Sequence, residues 1–532
     1  MKHSHLEHQL LTSIVAEGWR TVGVRNHHGI NVFLNAIHST KSCGIGEFLN
    51  LLPLIDWCKK IGMDIIQLLP LNDSYLDPSP YNAISSCALN PVFLTLDALP
   101  YLEQHPQLKD AISHISATFN HLPRTDYTAV FHAKMQWLRG YYQEIAAQLE
   151  EEQSFFNFKS AFPWVETYAL FKVLLCRFNS AWESWPEDCR SLSAEKRTQL
   201  LEEHREEIAF HTALQYFSFQ QLQQVRLYAE NQGVFIKGDV PILISRNSAD
   251  VWHAPHFFDL NRTAGAPPDQ YSVEGQNWGF PLFDWEAMRK EDYRFWCQRL
   301  HTAGHLYHLY RIDHAVGFFR IWGIPVDHPS RDGYFIPEEP TKYMEQGAHL
   351  LGVLAAASSM LPIAEDLGSV PREVRTCLTE MGIPGTRVMR WEVDWTRDRD
   401  PYLTLNEYQP LSMTCVSTHD SDTLGGWWHK YPEQASPLAH QKHWHYMHNL
   451  SIEHRQALLA DSHRTTSLFH INILQEYLAL VPEFVSPNPD EERINIPGTI
   501  LPTNWTYRYR PSVETLTSHQ HLLHTMQSLV PT

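Results

Sequence analysis

Several things are scarce in this sequence. Eight cysteines are scattered through 532 residues, and none forms a Cys-x-x-Cys pair or a metal-ligand spacing. That argues against a disulfide scaffold and a zinc module, and fits reduced thiols in a cytoplasmic compartment. Basic charge is outnumbered: 42 Lys and Arg stand against 60 Asp and Glu, a net charge of −18. A nucleic-acid or anionic-membrane partner would want a basic face, so neither is expected. Long apolar runs are missing as well. The most apolar stretch, 350–363, is short and carries two serines, and the first residues show no basic-then-apolar signal pattern. No Gly-rich phosphate fingerprint follows the first expected strand, which lowers the standing of a doubly wound nucleotide-binding sheet.

What is present is a repeating strand–helix pattern. Ile30–Ile37 reads as a strand, Phe48–Ile61 as an amphipathic helix closed by Gly62, and Met63–Leu71 as a second strand. That spacing makes a parallel βα unit. After a polar loop at 72–91 the chain turns helical from about 101 to 231. Strand patterns resume at Val234–Ile242, Leu309–Asp313, Leu361–Leu367, Thr386–Trp391 and Met413–Asp420, with a last strand expected near Ile496–Trp505. Helical patterns lie between them, for example Arg372–Met381 and His440–Leu459.

The expected fold is therefore α/β, a TIM-type (β/α)8 barrel with a large helical insertion after the second strand and long active-site loops. The division expected is a loose N-terminal segment (1–28), a first barrel part (29–100), a helical insertion subdomain (101–231) and the remaining barrel (232–532). A covering loop over about 245–285 has no obvious secondary structure and reads as a lid.

The acids are the most informative feature. Four strand patterns end in one: Gly-Asp-Val-Pro at 238–241, Arg-Ile-Asp-His at 311–314, Ala-Glu-Asp-Leu-Gly at 364–368, and Ser-Thr-His-Asp at 417–420. In a TIM barrel that end is the active-site face. Clustered carboxylates repel and cost desolvation, so stability alone is a poor reason for four of them. Such a cluster either binds a hard cation or performs glycosidic chemistry with a nucleophilic carboxylate and a carboxylic acid. Arg311, two residues from Asp313 and on the same strand face, favours the second use: a fixed cation keeps a nucleophile ionised but opposes a metal. A structural ion pair is the plain alternative for that pair taken alone, and metal binding through two histidines and an acid stays open. Of the other acids, Asp366 points away from Glu365 by strand alternation.

Taken in order, the motifs resemble the 4-α-glucanotransferases, the amylomaltase or disproportionating-enzyme family, glycoside hydrolase family 77. They run from Gly-Ile-Gly-Glu-Phe at 44–48 and Gln-Leu-Leu-Pro-Leu at 67–71, through Ser-Pro-Tyr at 79–81, Asn90-Pro91 and Asn-Ser-Ala-Asp-Val-Trp at 247–252, to Gly-Gln-Asn-Trp-Gly at 275–279, Thr-His-Asp-Ser-Asp at 418–422, Pro-Gly-Thr at 497–499 and Asn504-Trp505. The resemblance implies Asp313 as nucleophile, Glu365 as general acid/base and Asp420 as the third carboxylate, binding the transferred sugar. It implies substrate contacts for Tyr81, Asp239, Gln276, Trp278, Arg311, His314, His419 and Asn504. It implies no cofactor and no metal, and as partners maltose, maltooligosaccharides and glycogen or starch.

Some segments depart from the usual bacterial pattern. Ser421 and Ser417 stand where those enzymes usually have Asn and Gly, and the stretch before Ala266-Pro267-Pro268 is shorter. Asn-Ser-Ala-Asp-Val-Trp at 247–252, Gly-Ala-Pro-Pro-Asp at 265–269, Gln-Asn-Trp-Gly-Phe-Pro at 276–281 and Gly-Phe-Phe-Arg-Ile-Trp at 317–322 resemble the maltose-transferring plant cytosolic branch, without its starch-binding modules. A retaining α-glucan hydrolase of the α-amylase clan shares all three carboxylates and is the alternative; a silent glycan-binding protein is a third class, disfavoured because no catalytic acid is lost. Donor and acceptor preference and oligomeric state are not carried by these motifs.

Overall fold

In a computed structural model, described for residues 2–268, 273–397 and 400–531, twelve strands form two sheets. They are β1 (His27–Val32), β2 (Ile65–Leu68), β3 (Phe235–Val240), β4 (Phe258–Ala266), β5 (Gln276–Phe283), β6 (Leu309–Ile312), β7 (Ile321–Pro325), β8 (Tyr334–Ile336), β9 (Leu361–Ala364), β10 (Gly385–Val388), β11 (Ser412–Cys415) and β12 (Phe469–Ile473). Eight close a parallel barrel in the order β1-β12-β11-β10-β9-β6-β3-β2. The other four make an antiparallel sheet, β5-β4-β7-β8.

The local reasons are visible in the chain. The helix Leu51–Ile61 buries Leu51, Leu54, Ile55, Trp57 and Ile61 on one face and stops at Gly62, whose φ of 92° is open to glycine at no steric cost. Short barrel strands are buried along their whole length, as a parallel sheet covered by helices requires. The region between β2 and β3 is helical from Pro106 to Gln232. Two of its helices send lysines inward. Lys134 Nζ donates to Glu47 at 2.8 Å and Lys172 Nζ to Asp73 at 2.5 Å, all four side chains at most 5% exposed. Losing one partner of such a pair would strand a buried charge, which costs about 3–5 kcal/mol.

Four expectations are corrected. The N-terminal segment is not loose: helices span Lys2–Leu11 and Ala16–Val22. There Trp19 is fully buried, its Nε1 donates to Gly382 O, and Gly18 lies so close to Leu361 that a Cβ would sit 2.7 Å from its Cα. The polar, His-rich composition hid an apolar stripe. The eighth strand is not Ile496–Trp505 but β12. Its His470 and Asn472 broke the apolar pattern, whereas between the barrel wall and its covering helices they are fully buried and hydrogen-bonded. The stretch 245–285 is not structureless; it holds the helix Ala249–His253 and strands β4 and β5. Asp269 of the Gly-Ala-Pro-Pro-Asp motif lies outside the described residues. Lastly, 440–459 is two helices, Pro432–Gln441 and Ile452–Ser462, not one.

Candidate active site

All four acids converge at the C-terminal rim of the barrel. Asp239 is inside β3, Asp313 and Glu365 stand one residue past β6 and β9, and Asp420 lies on the loop after β11. Arg311, on β6, joins them. Its Nη1 donates to both oxygens of Asp239 at 3.1 and 2.8 Å, while Nη2 lies 2.7 Å from Asp313 and 3.9 Å from Glu365. One guanidinium nitrogen thus sits between two carboxylates of the rim, and a fork of fixed shape makes that possible where an ammonium would not.

Glu365 is held from both sides. The backbone N–H of His314 donates to its Oε2 at 2.8 Å and that of Leu367 to its Oε1 at 3.0 Å. To offer its N–H, His314 adopts the left-handed region at φ 44°, a conformation that costs about 1 kcal/mol or more in a non-glycine residue. Burial pushes the Glu365 carboxyl up to about 7, helped by the Asp313 charge and opposed by Arg311 and the two N–H groups.

Asp420 behaves oppositely. Burial would raise it, but His419 beside it and the Asn495 amide, donating at 2.7 Å, hold it down at about 2. Its side chain remains 44% exposed to the cleft, with His419 Nε2 3.1 Å from Oδ2. At neutral pH Glu365 is therefore poised between its protonated and ionised forms, while Asp420 stays ionised.

The rest of the shell is aromatic. The Tyr81 ring stacks on His419 at 5.4 Å, and Trp505 packs against both. Trp278, on β5, meets His314 edge-on at 5.0 Å, and its Nε1 donates to Gln276 at 3.1 Å. The second sheet thus reaches the rim through Gln276 and Trp278. Burial lowers the His314 pKa, so a neutral imidazole faces Trp278.

Two residues sit differently from the contacts expected of them. Asp239 is fully covered, and its oxygens are taken by Arg311 and the Tyr81 hydroxyl at 2.9 Å, so it faces no open cleft. Asn504 accepts from the N–H of Ile496 and donates to Thr499 O at 3.0 Å, bracing its own turn. Asp366 does turn away, bonding the Thr386 N–H and Arg387. Asn495 and Glu476 were not singled out from sequence. Glu476, fully buried, accepts from the Ser417 hydroxyl at 2.6 Å and the Leu424 N–H at 2.7 Å, and so clamps both ends of the loop that carries His419 and Asp420. No strand-end pattern marked either residue. Among the described residues, no group of three or more His, Cys, Asp or Glu side chains is arranged to hold a metal ion.

A parallel eight-stranded barrel with an acid, a carboxylate and a shared arginine at its C-terminal rim is the layout of an enzyme that works on glycosidic bonds. Comparison with known proteins makes this specific. The family profile described as 4-alpha-glucanotransferase matches residues 32–515. A 4-alpha-glucanotransferase of Chlamydia pneumoniae is 43% identical over 509 residues, 95% of each chain. One from Oryza sativa subsp. japonica is 37% identical over 320 residues, 58% of this chain and 33% of that one. An amylomaltase from Streptococcus agalactiae, solved with acarbose, shares the fold with a TM-score of 0.80 at 24% identity, covering 95% of this chain and 98% of that chain. The chain belongs to the 4-alpha-glucanotransferase family.

Proposed function

We propose that this protein transfers glucosyl or maltooligosyl units between α-1,4-glucans with retention, through a covalent intermediate on Asp313. The observation that carries the reading is the single Arg311 nitrogen 2.7 Å from Asp313 and 3.9 Å from Glu365. These distances cap the separation of the facing oxygens at 6.6 Å, which admits the spacing of about 5–5.5 Å of a retaining pair.

Glu365, protonated because burial raises it to about 7, gives its proton to the leaving glycosidic oxygen. Asp313 attacks the anomeric carbon, the bond to the leaving sugar breaks, and a glycosyl ester forms. Glu365, now ionised, takes the proton of an incoming sugar hydroxyl, which displaces Asp313 and restores both groups. Asp420, ionised and open to the cleft, binds hydroxyls of the transferred sugar with His419, while Tyr81 and Trp505 offer faces for stacking. Arg311 orients Asp313, and Asp239 anchors Arg311 from behind. Trp278 and Gln276, brought to the rim by the second sheet, limit the access of water and leave a sugar as the better acceptor. Maltose as donor and glycogen as acceptor are the substrates we favour, from the likeness to the plant branch. Eight unpaired cysteines fit a reducing, cytoplasmic setting.

The test is incubation with maltose, then maltotriose, each with and without glycogen, following chain lengths and reducing ends. A ladder at constant reducing ends is the expected result. A rise in reducing ends equal to the bonds cleaved would make the protein a hydrolase and overturn the reading. Activity on maltose only with glycogen present is the expected mark of the donor preference.

A further inference from the structure

Four buried polar side chains from the helical region between β2 and β3 meet at one place. Tyr127 comes from the helix Tyr127–Glu150, Tyr168 and Lys172 from Trp164–Phe178, and Gln215 from Arg205–Gln232. None is more than 3% exposed. All four bond the segment 72–90, which follows β2 and carries Tyr81. Lys172 Nζ and the Tyr168 hydroxyl both donate to Asp73 Oδ2, at 2.5 and 2.6 Å. The Tyr127 hydroxyl donates to Tyr75 O at 3.0 Å. Gln215 brackets Leu89, accepting from its N–H and donating to its C=O, both at 2.8 Å. Stability alone would be served by apolar side chains at these positions, because a buried polar group costs desolvation that pairing only offsets.

Asp73 is where these contacts enter the segment. Its N–H donates to Ala88 O at 2.9 Å, and its C=O accepts from the Ile84 N–H at 2.7 Å. The second bond closes 73–84 into a loop with Tyr81 inside it. Asp73 Oδ1 accepts from the Tyr75 N–H at 2.9 Å and so helps to hold Tyr75 in the left-handed region at φ 55°. The Lys172 ammonium lies 4.5 Å from the Tyr75 ring, a cation on an aromatic face. From this loop Tyr81 reaches the rim of the barrel. Its hydroxyl donates to Asp239 Oδ2 at 2.9 Å and lies 3.4 Å from Arg311 Nη1, and its ring stacks on His419. Contacts therefore run from Lys172 through Asp73 and Tyr81 to the Asp239–Arg311 pair beside Asp313.

We propose that Lys172 and Tyr168 are positioning residues for the reaction, setting the place of Tyr81 through Asp73, an inference that rests on the roles proposed above for Tyr81 and Arg311. The helical region between β2 and β3 thereby takes part in catalysis without touching the sugar. A displacement of about 1 Å in an aligned site can cost about 10²-fold in rate, so a firm hold on this loop has a functional use.

The test is a double-mutant cycle on the full chain, reading kcat for cleavage of maltotriose. Tyr168→Phe removes one hydroxyl and keeps the Lys172–Asp73 pair. It also keeps the helix Ala249–His253, where the Ala249 N–H donates to Ile84 O at 2.8 Å and Asp250 accepts from the Ser86 hydroxyl at 2.6 Å. Tyr168→Phe is expected to lower kcat about fivefold, the scale of one hydrogen bond, and Lys172→Met by more. Tyr81→Ala should lower kcat about 10²-fold. With Tyr81 already replaced, Tyr168→Phe should cost less than about twofold, because residues that act through one another are not additive. Lys172→Met should show the same coupling, and the Tyr168 cycle decides the matter if that variant does not fold. A merely structural role would lower the thermal midpoint and leave this coupling at zero. Full kcat in Tyr168→Phe, or the same fold loss with and without Tyr81, would overturn the proposal. The cycle reads donor cleavage, so it is independent of where the sugar goes. Longer glucans with an additive cycle would overturn this proposal alone. Free sugar with a coupled cycle would overturn the transfer reading and uphold this one.

Discussion

At the C-terminal rim of the barrel, Arg311 lies between Asp239 and Asp313, and Asp420 holds its charge beside His419 and Asn495. Behind the barrel wall, His28, His463 and His470 are packed together just as deeply. His28 stacks on His470 at 4.8 Å, and its Nδ1 is 3.0 Å from His463 Nδ1, whose other ring nitrogen bonds the Tyr477 hydroxyl at 2.7 Å. Burial, with His470 opposing protonation of His28 and His27 opposing that of His470, pulls His28 down to about 3 and His470 to about 4. The rim keeps its charges and pairs them; the histidine cluster gives its charges up. Water and sugar must reach the first, and a charge there takes part in the reaction. The second is shut between the barrel wall and the helices Ile452–Ser462 and Leu474–Leu478, so a neutral, hydrogen-bonded ring is the cheaper occupant.

The largest break in this contrast is Asp313→Asn. Transfer is expected to fall by about 10⁴-fold or more, as when a nucleophile is removed, with no loss of thermal stability; rate assays and calorimetry on the same preparation check both. A variant with full activity would end the nucleophile assignment.

Glu365→Gln should cost about 10² to 10⁴-fold, the usual worth of an acid/base group. In wild type, donor cleavage should be level below about pH 7 and fall above it, because Glu365 must be protonated and its value is about 7. The variant should lose that alkaline limb and recover glycosyl-enzyme formation with α-maltosyl fluoride, whose leaving group needs no proton.

The third prediction concerns stability, and the two regions pull in opposite directions. Glu365 is raised in the fold, so its contribution grows as pH falls from about 7 to its ordinary 4.5. His470 is lowered, so the unfolded chain takes up its proton first and stability is lost as pH falls from 6.5 to about 4. Each effect is worth about 3 kcal/mol, because a tenfold change in proton affinity between the folded and unfolded chain corresponds to about 1.4 kcal/mol. Urea unfolding between pH 7 and 5 should therefore fall more steeply in Glu365→Gln than in wild type, and less steeply in His470→Gln. Parallel slopes in all three would show that neither group is perturbed as described.

The smallest expected effect is that of Trp278→Ala. It removes the ring against His314 and leaves the carboxylates untouched. About a fivefold loss, carried by KM for the acceptor sugar and with a larger share of hydrolysis, is expected from losing an aromatic contact worth ~1 kcal/mol.

Much of the barrel was legible because parallel strands read as short apolar runs and helices as amphipathic stripes. Strands β2, β3, β6 and β9 each fall inside a stretch marked by that pattern, and β10 and β11 begin one residue before theirs. The pattern failed where polar residues are buried with partners. In β12, His470 and Asn472 look like loop residues until Ser462 and Tyr477 are seen to satisfy them. It also failed at 245–285, where β4 and β5 are antiparallel and partly exposed, so no continuous apolar run announces them.

The sequence by itself determined the parallel barrel, the helical insertion and the acids at the strand ends. All three rest on local periodicity and on the polarity of single strands. Only the tertiary structure decided how those acids divide. Arg311 and Asp313 were adjacent from the start, but Asp239 became the buried anchor of Arg311, Glu365 acquired two backbone N–H groups, and Asp420 acquired Asn495 from 75 residues away. The protonation state of a carboxylate depends on its burial and on neighbours the fold brings from other strands, and no local pattern contains them.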